Sequence, residues 1–408
     1  MPCRSCSAPS IQQVLSLGYS PPSNAYVLEQ DLAAPEQQLP LRISFCGSCY
    51  LVQTEDYTSA SSLFTDSYSY FSGASATWVD HCRKFANDTV ANLELGARSV
   101  VVELAANDGT LLKEFQELGV PCYGIEPTSS TATRARSFGL EVVGDFFGAK
   151  LGKSLAHEKG LADLIVANNV LAHVPNINDF VTGIKNLLAP DGVCSIEVPS
   201  VVNLVRSGQF DTIYHEHFSY FSLASAEIVF ERSGLTVFDV EEIPTHGGSL
   251  RFWVSHEESS WSRRDSVEQM LEAERSFGIH DWRTYAALEL AAIESKVELL
   301  NFLLDHKKAG RLVAAYGAAA KGNTRLNFAG VGPSLITFVC DAEAEKQGKY
   351  LPGSLIPILP PEELFVLRPD VVLILPWNLR DEIRLALEPL RSRGTRLFVC
   401  SPNIEELL

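Results

Sequence analysis

Short β-branched runs alternate with amphipathic helical stretches twice along this chain, once from Ser99 and again from Arg311. Such a series buries its apolar faces as a parallel sheet covered by helices, so the pattern calls for two separate α/β cores. The 408 residues suffice for both and for a small appendage. In the first series Ser99–Leu104 reads as a strand, Ala105–Gly109 as a tight turn and Thr110–Leu118 as a helix. Further strands are expected to end at Glu126, before Asp145 and at Asn168, then a helix over Ile177–Leu188 and a Pro190-Asp191-Gly192 turn into a fifth strand. Strands at Leu235–Val240 and Leu250–Ser255 complete a predicted seven-stranded sheet whose last pair is antiparallel. One long helical stretch, roughly Ser266–Lys308, leads to a second doubly wound unit with strands at Arg311–Tyr316, Phe338–Asp341, Val371–Leu375 and Leu397–Cys400.

Ahead of both series stand two Cys-x2-Cys pairs, Cys3 with Cys6 and Cys46 with Cys49. If the intervening segment folds back, four thiolates surround one tetrahedral ion. Zinc suits such a closed all-sulfur site, which has no open position and is therefore structural. The alternative is four free cysteines in a small apolar unit, and the pairing within so short a segment favours the metal. Cys82, Cys122, Cys194, Cys340 and Cys400 are scattered among apolar neighbours and are expected to act as small hydrophobes. A formal net charge of -17 opposes nucleic acid and anionic membrane surfaces as partners. The opening MPCRSCSAPS lacks the apolar run of a signal peptide and no later run is long enough to span a bilayer, so the expected address is the cytoplasm.

Ligands of doubly wound sheets lie beyond the carboxyl ends of the strands. The segment VVELAANDG places Glu103 at a strand end and Ala105, Asn107, Asp108 and Gly109 in the turn, while Glu126 in YGIEP can accept both hydroxyls of a ribose. A dinucleotide turn carries G-x-G-x-x-G, but Ala105 and Ala106 stand where its first glycines belong, which disfavours pyrophosphate here. Asp145 beside Phe146 reads as an adenine pocket, or else as a helix cap beside core phenylalanines; its position at a strand end favours the pocket. Asn168 and Asn169 mark the end of the fourth strand, with His173 just outside the sheet edge.

The segment Tyr214-His215-Glu216-His217-Phe218-Ser219-Tyr220 gathers two imidazoles, a carboxylate and two phenols. Metal binding would need a further converging ligand, because His-Glu-His matches neither the helical H-E-x-x-H spacing nor a facial triad. General acid–base work needs one imidazole facing the substrate, with neighbours that orient it, and is the preferred reading; a polar loop with capping histidines is the bland one. In the second α/β unit Gly317 to Thr324 forms a glycine-bearing turn entering a helix, where a phosphate can be received with help from Lys321. Its GAAAKG lacks the spaced glycines of a nicotinamide site, and the domain can also be read as pure scaffold.

Together these motifs resemble the S-adenosylmethionine (SAM)-dependent sugar C-methyltransferases of deoxysugar biosynthesis. The resemblance rests on the cysteine pairs with Asn24, Pro40-Leu41 and Leu51-Val52-Gln53, on Glu103 to Gly109, on YHEHFSY, and on HGGSLR from His246 to Arg251, all in order. It implies a small zinc-binding domain (1–65), a central class I methyltransferase domain with a doubly wound sheet (66–260), and a linker helix with a C-terminal Rossmann-like substrate domain (261–408). It further implies that His217 removes a proton beside a ketone, with Tyr214, Glu216 and His173 lining the pocket and Tyr68, or alternatively Tyr70, closing it. SAM would lie on Glu103, Ala105, Asn107, Asp108, Gly109, Glu126, Asp145, Phe146, Asn168 and Asn169. A nucleotide-diphosphate 4-keto sugar, methylated at C-3 or alternatively at C-5, would be held with help from His246, Arg251, Gly317, Lys321, Asn323 and Asp341. Ala105 departs from the family, whose members commonly carry Gly there, and narrows the space beside the cofactor by one methyl group. A sugar O-methyltransferase, a non-catalytic nucleotide-sugar-binding protein and a metal-dependent hydrolase are the rival functions, and the oligomeric state stays open, a monomer being compatible.

Overall fold

The computed structural model describes residues 2–9, 11–57, 63, 71–401 and 403–408. Near the N-terminus β1 (Gln12–Ser20), β2 (Leu39–Phe45) and β3 (Val52–Thr54) form an antiparallel sheet. Alternation along β2 puts Leu39, Leu41, Ile43 and Phe45 on one side, as the strand period of two requires. Leu41, Ile43 and Phe45 pack with Leu15 and Leu17 of β1 and with Tyr285 and Leu288 from much further along the chain.

The central sheet contains β4 (Val101–Leu104), β5 (Cys122–Ile125), β6 (Val142–Val143), β7 (Ala162–Asn168) and β8 (Leu188–Pro199), all mutually parallel. The next strand, β9 (Ser219–Tyr220), leaves this sheet and pairs with β3 instead. β10 (Leu235–Ile243) and β11 (Ser249–His256) then close the order β10-β11-β8-β7-β4-β5-β6, with β11 antiparallel to both neighbours. All four residues of β4 are buried, as expected of a strand covered on both faces. The chain proceeds to one side of β4 through β5 and β6 and to the other through β7 and β8, so a crevice opens beyond the carboxyl end of β4.

The helical stretch expected over Ser266–Lys308 is in fact two helices, Asp265–Phe277 and Trp282–Lys308. Gly278 ends the first in the left-handed region (φ 90), and the Asp281 side chain caps the second by accepting from the Arg283 N–H. The C-terminal sheet has β12 (Val313–Tyr316), β13 (Val339–Cys340), β14 (Ile358–Leu359), β15 (Val371–Ile374), β16 (Arg396–Val399) and β17 (Glu405–Glu406) in the order β14-β13-β12-β15-β16-β17. β14 and β17 add to the four expected strands; each is two residues long, too short to carry a periodic signal.

The units are stitched together. Besides the β3–β9 ladder, the Glu36 carboxylate accepts from the Gly353 N–H, and Glu382 accepts from the hydroxyls of Ser75 and Thr77 at 3.2 and 2.7 Å. Among the described residues no helix is long and apolar enough to cross a membrane.

Candidate active site

The turn after β4 is built from backbone conformations that ordinary side chains avoid. Ala105 and Asn107 lie at φ 54 and 51, and Gly109 at φ 80. A Cβ on Gly109 would stand 2.3 Å from Leu140 Cδ1, so the position admits only glycine. Glu126 at the end of β5 fixes the turn, its carboxylate accepting from the N–H groups of Asn107 (2.9 Å) and Thr128 (2.8 Å). The segment after residue 70 folds over it: Ser72 N–H donates to Asn107 Oδ1 and Gly73 N–H to Asp108 Oδ2, each at 3.0 Å.

Around this crevice several buried polar atoms have no partner among the described residues, namely Glu103 Oε2, both amide atoms of Asn168 and Asn169 Oδ1. Buried polar atoms normally have partners, so this set marks room for a polar ligand. Burial, with the nearby Asp108 and Glu126, holds the Glu103 carboxyl well above the usual carboxylate range. Asp145 and Phe146 stand at the same edge and are both exposed, with Asp145 Oδ1 accepting from the Phe146 N–H; it is Phe147 that packs inward, edge-on to Phe180.

Next to this crevice lie His173, Tyr214, Glu216 and His217, which the fold brings together. His217 Nδ1–H donates to the Thr212 carbonyl at 2.9 Å, and its Nε2 accepts from the Tyr214 hydroxyl at 2.7 Å. The proton on Nδ1 leaves the Nε2 lone pair as the basic site. The ring of His173 stands edge-on to that of His217 at 4.6 Å, and His173 Nδ1–H donates to the Glu216 carbonyl at 2.7 Å. Burial pushes His217 well below the ordinary imidazole range, helped by His173, Lys321 and His246. Burial likewise takes His173 down to about 4.

Glu216 faces the opposite way, its Oε1 accepting from the backbone and side-chain N–H groups of Asn24 at 3.3 and 3.2 Å. Its Oε2 is buried with no partner among the described residues, and burial raises the acid. His215 is turned away as well, its Nε2 donating to the Pro40 carbonyl. Tyr68 and Tyr70 lie outside the described residues.

Of the residues expected to meet substrate, His246 and Lys321 reach this cluster. His246 stands at φ 56 with its ring edge-on to Trp78, and burial lowers it to about 4. Lys321 donates to Asn378 Oδ1 at 3.0 Å, lies over the Trp377 ring and is lowered to about 8 by burial. Arg251 is not brought to the cluster; it is committed to Glu197 (3.3 Å) and Glu241 (3.2 Å). Asn323 points to the Ser23 carbonyl, and Asp341 holds the turn beside Gly317 by accepting from the Ala318 N–H at 2.7 Å. Trp78, His81 and Glu197 form a polar wall that no motif reading singled out. Glu197 accepts from His81 at 2.9 Å and from the Thr245 hydroxyl at 2.7 Å; the ionisable residue inside the apolar VCSIEVPS strand was its one visible signal.

The four N-terminal cysteines converge. Their sulfurs all lie within 4.8 Å of one another, with Cys3 to Cys49 at 3.4 Å and Cys6 to Cys46 at 3.5 Å. Tetrahedral zinc with bonds of about 2.3 Å needs sulfurs roughly 3.8 Å apart, so the set fits a closed zinc site. Arg4, between the ligands, donates to the carbonyls of Thr54 and Pro175 and to Asp56, which ties the knuckle to the central domain.

Family models match in three successive blocks: a zinc binding domain over residues 3–64, a methyltransferase domain over 78–240 and a C-methyltransferase C-terminal domain over 244–402. Over 401 residues, 98% of this chain and 95% of the relative, the sequence is 35% identical to the C-methyltransferase NovU of Streptomyces niveus. The chain belongs to the C-methyltransferase family. As a SAM-dependent C-methyltransferase it uses SAM, and its four cysteines suit a structural zinc. A more distant likeness joins this C-methyltransferase to 1,6-didemethyltoxoflavin-N1-methyltransferase of Burkholderia thailandensis (19% identity, 45% of this chain and 82% of that one, TM-score 0.33). Another joins it to magnesium protoporphyrin IX methyltransferase of Synechocystis (14% identity, 44% and 83%, TM-score 0.34).

Proposed function

We propose that this C-methyltransferase methylates the carbon beside the ketone of a nucleotide-diphosphate 4-keto-deoxysugar, at C-3, through an enolate generated by His217. The observation that carries the reading is the state of His217. It is a buried neutral imidazole whose Nδ1 proton is held by the Thr212 carbonyl and whose Nε2 accepts from the Tyr214 phenol hydroxyl. SAM supplies an electrophilic methyl when bound. A ketone acidifies its neighbouring C–H, and the substrate carbon displaces Tyr214 from Nε2, which takes the proton. The Tyr214 hydroxyl then donates to the enolate oxygen. Glu126 receives the cofactor ribose, the Asp145 carboxylate and the exposed Phe146 ring take the adenine, and Lys321 beside the Gly317 turn meets the diphosphate.

The test is incubation with SAM and a panel of 4-keto nucleotide sugars in heavy water. Wild type should wash deuterium into the carbon that is methylated, and mass spectrometry should place the methyl on that carbon. His217→Asn should lose both exchange and methylation, because an amide cannot accept the proton at neutral pH. A methyl on oxygen, or near-normal exchange by the variant, would refute the reading.

A further inference from the structure

Contacts from the C-terminal domain grip the backbone that holds His217, and apart from Trp377, whose ring lies under Lys321, their residues stand outside the site described above. The grip is on the short turn Phe210–Thr212. Asp211, immediately before Thr212, is fully buried, and its Oδ2 meets Arg325 Nε at 3.2 Å, Arg325 Nη2 at 3.1 Å and Trp377 Nε1 at 3.1 Å. Ile213, immediately after Thr212, gives its carbonyl to the Thr324 hydroxyl at 3.1 Å. Arg325 is 2% exposed and lies over the Phe210 ring, with a further bond to Ser295. Thr324 and Arg325 sit in one helix, Ala320–Ala329, whose first turn carries Lys321.

A buried Asp–Arg pair gives little net stability, because taking both charges from water costs several kcal/mol and a hydrophobic pair of equal volume serves as well. What such a pair supplies is fixed geometry, and here the geometry is that of one carbonyl. We propose that Asp211, Arg325 and Thr324 are positioning residues for His217, clamping the backbone on both sides of Thr212 so that its carbonyl keeps the proton on Nδ1 and leaves Nε2 toward the acceptor carbon. The kinetic part of this proposal rests on His217 being the base; the tautomer part does not.

Because removing Asp211 alone would strand a buried guanidinium, the test uses three milder variants of the full chain: Thr324→Val, Arg325→Lys and Trp377→Phe, each checked by a thermal melt. Nitrogen-15 NMR of the histidine rings is expected to show His217 in wild type as the single neutral tautomer protonated at Nδ1. Thr324→Val and Arg325→Lys should give mixed tautomers and lower kcat about 10- to 100-fold, with KM for SAM unchanged. Trp377→Phe, which removes one of the two hydrogen-bond donors to Asp211, should show the same change to a smaller degree. An unchanged tautomer in the folded variants overturns the proposal, as does normal kcat where the tautomer is mixed. Retention of exchange by His217→Asn would refute the base assignment alone, since the tautomer readout does not need turnover.

Discussion

A neutral imidazole stays available as a proton acceptor where protonation has been made unfavourable, and at His217 burial, His173, Lys321 and His246 all act in that direction. The same shifts bear on stability. A histidine lowered in the folded state binds its proton more readily when unfolded, so its contribution is fully present above the unfolded value near 6.5 and is lost as pH falls toward the folded value. With His173 and His246 both lowered to about 4 and His217 lowered too, each buried ring should contribute about 1 kcal/mol less at pH 5.5 than at pH 7.5, while the raised Glu103 and Glu216 carboxyls contribute with the opposite sign. Urea titrations of wild type and His173→Gln at the two pH values check this, and an equal pH dependence of the two proteins would contradict it. Glu126 offers a second residue-scale expectation. Its carboxylate organises the turn after β4 from the strand end where the proposed function puts the ribose, so Glu126→Ala should weaken SAM binding about tenfold or more while the fold persists. Calorimetry giving wild-type affinity would move the ribose elsewhere. Both residues were legible in the sequence because each stands in a short motif, YHEHFSY or YGIEP. Asp211 and Arg325 were not, since they lie 114 positions apart and become a pair only once two domains meet.

Among the elements, β9 has the largest consequence for its size. Two residues, Ser219 and Tyr220, extend the zinc-bearing sheet by pairing with Gln53 and Val52, beginning two positions after His217. Thr54 adds a bond from its hydroxyl to the His217 carbonyl at 2.9 Å. Zinc removal, or Cys46→Ser, should therefore lower the melting temperature on the order of 10 °C and also reduce turnover, although the metal lies outside the chemistry. Metal analysis, melting and rate measurements on one preparation decide it; full activity in zinc-free protein would show that the knuckle does not support the His217 segment. The zinc ligands could be read from sequence because thiolate pairing is local. The strand they serve could not, because a two-residue ladder has no period and its partner lies in another domain. The helical stretch from Ser266 shows the converse: its composition is helical throughout, and the single Gly278 turns the chain into two rods.

At the scale of the whole molecule, the N-terminal unit is closed by residues from far along the chain. The N-terminal strands are covered by Ile279, Tyr285, Leu288 and Ala292, which come from after the central domain, and burying Tyr285 and Leu288 is worth about 1.5–3 kcal/mol each. A fragment of residues 1–260 should consequently be insoluble or lack a cooperative melt, and a soluble fragment with a sharp transition would count against this view. The two α/β cores were foreseen because alternation of strand and helix is a property of continuous sequence; their mutual dependence arises from pairings that no window of sequence contains. Time of synthesis adds a consequence of the β3–β9 ladder. The strand that accepts β9 leaves the ribosome with Thr54, and β9 itself ends at Tyr220. At about 5–20 residues per second the open edge of β3 waits roughly 8–33 s for its partner. Through that interval the nascent chain carries an unpaired strand beside four thiols, so early metal capture would shelter the growing polypeptide before its catalytic segment exists.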